Sequence, residues 1–194
     1  MRVADGLLAL TAMPARMQPK EDGMLISETL EAAINRQIGR EMGASLQYLA
    51  IAAHFDRQSL KQLARFFYRQ ADEERVHALK FLHFVVDAGG TVTLPAIAAP
   101  KGDFASAKEC AELSLKWEND VTEQIYELVG CAQSDKNYIA LRFLDWFVTE
   151  QLEEVNLMDG LTQIIERAGE ENLLQVEDYL SRESLVPNAD AGAG

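Results

Sequence analysis

Glu74 and His77 lie three residues apart in the run Gln70-Ala71-Asp72-Glu73-Glu74-Arg75-Val76-His77. On an α-helix this spacing puts a carboxylate and an imidazole on one side, a turn apart, where both can reach a single ion. The same side continues through Leu63, Phe66, Gln70, Glu74, His77, Phe81 and Phe84, in the steps of three and four that mark a buried helix face. Burying an ionisable pair on such a face is costly unless the groups are paired or bind a metal. One Glu-x-x-His is common in ordinary helices, so the remaining elements must decide what it does.

Three further stripes carry the same kind of interruption. Ser27 can cap a first helix to about Asp56, with Ile34, Ile38, Glu41, Ser45, Tyr48, Ala52 and Phe55 on one face. Ser59-Leu-Lys-Gln62 reads as a capping box that starts the second helix, and Gly89-Gly90 stops it after Asp87. A Gly-, Pro- and Ala-rich connection over 88–105 leads to a second capping box, Ser106-Ala-Lys-Glu109. The third helix then runs to about Ala132 with Cys110, Ser114, Glu118, Val121, Ile125 and Leu128 on its face. After the polar turn Gln133–Asn137, a fourth helix reaches Arg167 before Gly169, with Phe143, Phe147, Gln151, Glu154, Met158, Leu161 and Ile165 along it. A short fifth helix is expected over 171–181, with Leu173, Leu174, Val176 and Leu180 as its apolar residues.

The fold class is therefore all-α: an antiparallel four-helix bundle with one long crossover and a short C-terminal helix. Residues 88–105 can span up to roughly 60 Å when extended, the length of a bundle, so the second and third helices can run parallel. Glu41, Glu74, Glu118 and Glu154 each fall near a helix midpoint, and midpoints meet at one level whichever way the helices point. Four carboxylates and His77 at one buried level cannot coexist without cations or protons. Carboxylate oxygens with a few imidazoles suit Fe(II).

Composition bounds the alternatives. The 194 residues, 48% of them hydrophobic, fit one domain, and the net charge of −13 disfavours nucleic acid or an anionic membrane as partner. No apolar run approaches membrane-spanning length. Cys110 and Cys131 sit roughly 31 Å apart on one predicted helix, too far for an intrachain disulfide, and two free thiols suit a reducing cytoplasm. Residues 1–23 have no helical period and read as a disordered extension, or as the product of a start upstream of Met24; Asp5 and Gly6 break up the apolar run that a signal peptide needs. The domain is expected over 24–183, followed by a disordered tail over 184–194.

Glu41 with Tyr48 seven residues later, the Glu73-Glu74-Arg75-Val76-His77 run, Glu118, and Glu150-Gln151-Leu152-Glu153-Glu154 together resemble the bacterial non-haem ferritins. The resemblance implies a ferritin bundle assembled from 24 subunits into a hollow cage that stores iron as a ferric mineral. It implies a ferroxidase centre that oxidises Fe(II) with O2 or H2O2. One iron would take Glu41, Glu74 and His77, the other Glu74, Glu118 and Glu154, with Glu74 bridging and Gln151 hydrogen-bonding close by. Glu73, Glu150 and Glu153 match a third iron site on the cavity side. Tyr48, and Trp146 one turn before Glu150, become candidate electron donors. Haem is not expected: haem-binding relatives place Met after the bridging Glu, where this chain has Arg75, and carry Glu-x-x-His where it has Gln151-x-x-Glu154. The acidic pair that lines the threefold pore of vertebrate heavy chains falls on Leu141 and Leu144. Two other readings are a rubrerythrin-like oxidase or peroxidase, which would want a cysteine pair at rubredoxin spacing that is absent here, and a DNA-protecting mini-ferritin, which lacks a fifth helix.

Overall fold

A computed structural model describes residues 23–182. Its elements are α1 (Glu28–Arg57), α2 (Lys61–Asp87), α3 (Ala107–Ser134), α4 (Tyr138–Ala168) and, after a 3-10 turn over Glu170–Asn172, α5 (Leu173–Arg182). The long helices are a bundle with a crossover and a short terminal helix, as the stripes require. The extension expected over 1–23 (Gly23 apart) and the tail expected over 184–194 lie outside the described residues.

Side-chain caps close three of the four long-helix starts, the expected Ser27 and Ser106 among them. Ser27 Oγ accepts from the Leu30 N–H at 3.1 Å, Ser106 Oγ from Glu109 at 3.0 Å, and Asn137 Oδ1 from Ala140 at 3.0 Å. The exception is α2. Ser59 takes a left-handed φ of 64° and Leu60 is the residue before the helix, so the expected Ser59–Gln62 capping box does not form. A carboxylate from α5 replaces it. Glu177 accepts from the Gln62 N–H at 3.0 and 2.9 Å and from the Leu63 N–H at 2.8 Å. Glu170 does the same for α3, accepting from Ala107 and Lys108 at 3.0 and 2.9 Å. Both donor sets are helix N-terminal N–H groups, where negative charge is favoured. The segment after α4 thus ties the starts of α2 and α3 together, which puts those starts at one end and makes the two helices parallel. Gly89, at φ 76°, and the Gly90 N–H bond to Val85 O close α2 as expected.

The crossover is fastened along α1. Asn35 Nδ2 donates to Thr91 O at 2.8 Å while its Oδ1 accepts from the Thr93 N–H at 2.9 Å. Gln47 repeats the pattern on Lys101, at 3.0 and 2.9 Å. Two buried amides on α1 are explained by this alone: each satisfies both its own groups and a passing backbone. Between them the crossover comes so close that a Cβ on Gly39 would stand 2.2 Å from Pro95 Cγ.

The core is divided. One apolar cluster holds Tyr48, Phe55, Leu63, Phe67, Met158, Leu161 and Val176; the other holds Leu30, Ile38, Phe81, Val85, Ile125, Leu144 and Phe147. The polar level of Glu41, Glu74, His77, Glu118, Gln151 and Glu154, all buried, lies between them along the four helices. Val176 seats α5 on the first cluster with Leu173 and Leu180 beside it, while Leu174 stays 76% exposed. Leu144 is fully buried in the second cluster, and half-buried Leu141 packs against it. Cys110 and Cys131 are both free thiols, and burial pushes the Cys110 thiol up to about 12. No described helix is long and apolar enough to cross a membrane.

Candidate metal centre

The helical phase that makes α1 and α2 pack also aims their polar residues at one point. Glu41, Glu74 and His77 each present a ligand atom within 4.8 Å of the others, and all three are buried. This is the set expected for the first iron. His77 Nδ1 stands 3.4 Å from Glu74 Oε2, and its Nε2 faces Glu150 Oε1 at 3.7 Å. The imidazole is therefore held between carboxylates of α2 and α4. Gln37, one turn before Glu41, donates to Glu41 Oε1 at 2.9 Å, while Glu41 Oε2 is buried with no donor. Glu154 Oε2 is orphaned in the same way. An acceptor buried without a donor costs free energy that a cation would restore.

The second set differs from the expectation. Glu74, Glu118 and Glu154 are not gathered at ligand spacing; the other group among the described residues is His77, Glu150 and Glu154. The reason is where Glu118 spends its oxygens. Oε1 accepts the Tyr48 hydroxyl, and Oε2 faces Gln151 Nε2 at 3.5 Å. Gln151 is itself fixed by Glu118 O and Thr122 Oγ1, both at 3.2 Å. Of the three residues matched to a third iron site, Glu150 faces His77, half-buried Glu73 accepts from Gln70, and Glu153 is exposed. Among the described residues, Glu153 joins no group at ligand spacing.

The electrostatics are those of crowded, desolvated acids. Burial, with the charge of Glu118 adding to it, holds Glu74 well above the usual carboxylate range, against the pull of His77. Burial and the Glu118 charge raise Glu154 likewise. Burial pushes Glu118 up to about 7, although the Tyr48 hydrogen bond works the other way. Burial alone would lower His77, but its contacts with Glu150 and Glu74 prevail and raise it well above the ordinary imidazole value. Burial and then the Glu118 charge raise the Tyr48 phenol. The site thus holds protons that a metal ion could displace.

Sequence reading missed three neighbours of the centre. Gln37 and Thr122 lie one turn from Glu41 and Glu118 on the same helices, a spacing that could have pointed to them. Lys80, whose ammonium sits over the Trp146 ring, needed the packing of α2 on α4. His54, buried against Phe55 and Phe104, and exposed His83 stand apart from the centre, as expected.

Comparison with known proteins places the chain in a family. Residues 31–168 match the ferritin-like domain family. Ferritin BfrB of Mycolicibacterium smegmatis is 40% identical over 162 residues, 84% of this chain and 89% of that protein. The bacterial non-heme ferritin of Staphylococcus aureus is 36% identical over 148 residues, 76% of this chain and 89% of its own. Among solved structures, an open pore ferritin from the hyperthermophilic archaeon Archaeoglobus fulgidus matches with a TM-score of 0.78 at 34% identity, over 82% of this chain and 98% of that one. With the carboxylates and histidine of the motif gathered at one buried level, and these relatives matched over most of their length, the chain belongs to the ferritin family.

Proposed function

We propose that this chain stores iron, and that it does so by oxidising Fe(II) at the buried carboxylate level and passing ferric product to the interior of a cage. The observation that carries the reading is the buried Glu41–Glu74–His77 group, in which Glu41 keeps an oxygen with no donor. One Fe(II) takes these three ligands. A second is held next to it through Glu74, Glu154 and Glu118, once Glu118 releases Tyr48 and turns inward. Each Fe(II) gives one electron to O2, which becomes H2O2, or both go to H2O2, which becomes water. Hydrolysis of the ferric product releases protons. Gln37 orients Glu41, and Gln151 and Thr122 steady the α3–α4 side of the centre. Glu73, Glu150 and Glu153 offer a path or a third site between the centre and the cavity.

The cage is the 24-subunit shell implied by the motif resemblance, built in the cytoplasm. Leu46, Leu49, Leu94 and Ile97, on α1 and the crossover, are between 40% and 61% exposed in the single chain, and apolar groups of this kind support burial between subunits. The test is aerobic Fe(II) oxidation by the assembled protein, followed with oxygen consumption and with imaging of the particles. Rapid oxidation, with mineral inside a shell of about 24 chains, is expected; oxidation no faster than in buffer would end the reading.

A further inference from the structure

The chain has two tryptophans, Trp117 and Trp146, and their surroundings differ. The Trp146 ring meets His77 edge-on, with centroids 5.4 Å apart and planes at 70°. Lys80 lies one turn after His77 on α2, and its Nζ stands 3.0 Å from the Trp146 ring centroid. Trp117 packs against both apolar clusters, and among the described residues no cation sits over its ring.

Position makes Trp146 vulnerable. It touches the one residue that both ligand-spaced groups share. Iron oxidised in pairs consumes peroxide cleanly, because two electrons take H2O2 to water. A lone Fe(II) supplies only one: it becomes Fe(III), the O–O bond breaks, and hydroxide and a hydroxyl radical result. That radical takes an electron from an oxidisable neighbour; drawn from the Trp146 indole, the electron turns the radical into hydroxide and leaves an indole radical cation, which then sheds its N–H proton to water. Withdrawing an electron from a ring with an ammonium over its face is electrostatically opposed, because the cation that stabilises the electron-rich face repels the positive charge created.

We propose that Lys80 is a protecting residue, its ammonium shielding Trp146 from one-electron oxidation at the neighbouring iron centre. It binds no iron and touches no reacting atom; it acts through the indole. The inference rests on the proposed ferroxidase reading for its source of oxidant, so the test includes an arm without iron.

The experiment compares wild type, Lys80→Met and Lys80→Arg as full chains, each exposed to less than one Fe(II) per chain with H2O2. Oxidised tryptophan is quantified at both positions by peptide mass spectrometry, with Trp117 as internal reference, and the radical is followed by freeze-quench electron paramagnetic resonance. Lys80→Met should raise oxidation at Trp146 relative to Trp117 by about fivefold or more. Lys80→Arg, which keeps the cation, should stay at the wild-type level, and ferroxidation at full iron loading should be unchanged in both. Equal Trp146 oxidation in wild type and Lys80→Met would overturn the proposal. So would a parallel rise at both tryptophans, which would mean looser packing. In the second arm a photogenerated ruthenium(III) trisbipyridine complex replaces iron and peroxide. The same selective rise there supports shielding even if the chain oxidises no iron; its absence sinks the shield and leaves the ferroxidase reading standing.

Discussion

Two sets of glutamates use the same side chain for opposite purposes. At the α5 end of the bundle, Glu177 and Glu170 accept N–H groups from the starts of α2 and α3, and helix dipole and hydrogen bonds both favour their negative charge. At the middle level, Glu41 and Glu154 keep an oxygen without a donor, and Glu74 and Glu118 crowd them with further acid. The first set holds the fold together as it stands. The second is a crowd of desolvated acids whose repulsion protons relieve and a bound cation would relieve. A carboxylate's surroundings, donor-rich or donor-poor, thus separate structure from function within one residue type.

That contrast can be broken by mutation, and the largest effect should come from Glu74→Ala. Loss of the carboxylate common to both proposed irons should cut the initial rate of Fe(II) oxidation by at least about 100-fold, beyond what losing an outer-shell partner costs a metal site. The iron-free protein should melt no lower than wild type, since a repelling buried acid has gone. A slow mutant that also melts much earlier would place Glu74 with the structural set. His77→Ala should slow oxidation by a smaller factor.

Gly39→Ala tests the frame rather than the centre. Alanine gains about 1 kcal/mol of helix propensity over glycine. The added methyl, 2.2 Å from Pro95 Cγ, demands movement of a stiff ring and its backbone. Overpacking of this sort costs about 1–3 kcal/mol, so the net change should be destabilising, with the crossover displaced at Pro95. A crystal structure with Pro95 unmoved and unchanged stability would contradict the close packing.

Glu177→Ala should cost about 1–2 kcal/mol, the worth of a helix cap, and lower the melting temperature by about 2–8 °C while leaving iron oxidation intact. A Glu177 variant that melts normally but loses ferroxidation would invert the comparison.

The mildest perturbation is pH. Glu74, Glu118 and Glu154 have raised folded values, and so has His77, so the folded iron-free chain binds more protons than the unfolded chain. Their stabilising contribution is present below the unfolded carboxylate and imidazole values and is lost as pH climbs through the folded ones. Iron-free stability should therefore fall as pH rises from the usual carboxylate range through about 7, where Glu118 titrates. Iron should flatten that slope, and Fe(II) binding should strengthen over the same interval as protons leave the ligands. Calorimetry with and without metal reads both; a rising iron-free slope would contradict the assigned crowding.

Much of this was legible in the chain. The four stripes, the Ser27 and Ser106 caps and the Gly89 stop are local signals, and the midpoint carboxylates followed from them. Glu41, Glu74 and His77 meet as expected because two are fixed by one helical turn and the third by the α1–α2 pairing. What escaped is tertiary. Glu177 is over a hundred positions from the N–H groups it caps, so the Ser59–Gln62 box looked sufficient. Glu118 was expected beside Glu74 and Glu154, but Tyr48 and Gln151 draw its oxygens away, and no spacing rule ranks such competing partners.

An anaerobic Fe(II) titration of the iron-free protein tests most directly whether the middle-level glutamates form a two-iron site. Wild type and Glu177→Ala should each bind about two Fe(II) per chain tightly, with release of protons, and Glu74→Ala should bind at most one. Wild type that binds no Fe(II), or Glu74→Ala that still binds two, would contradict such a site.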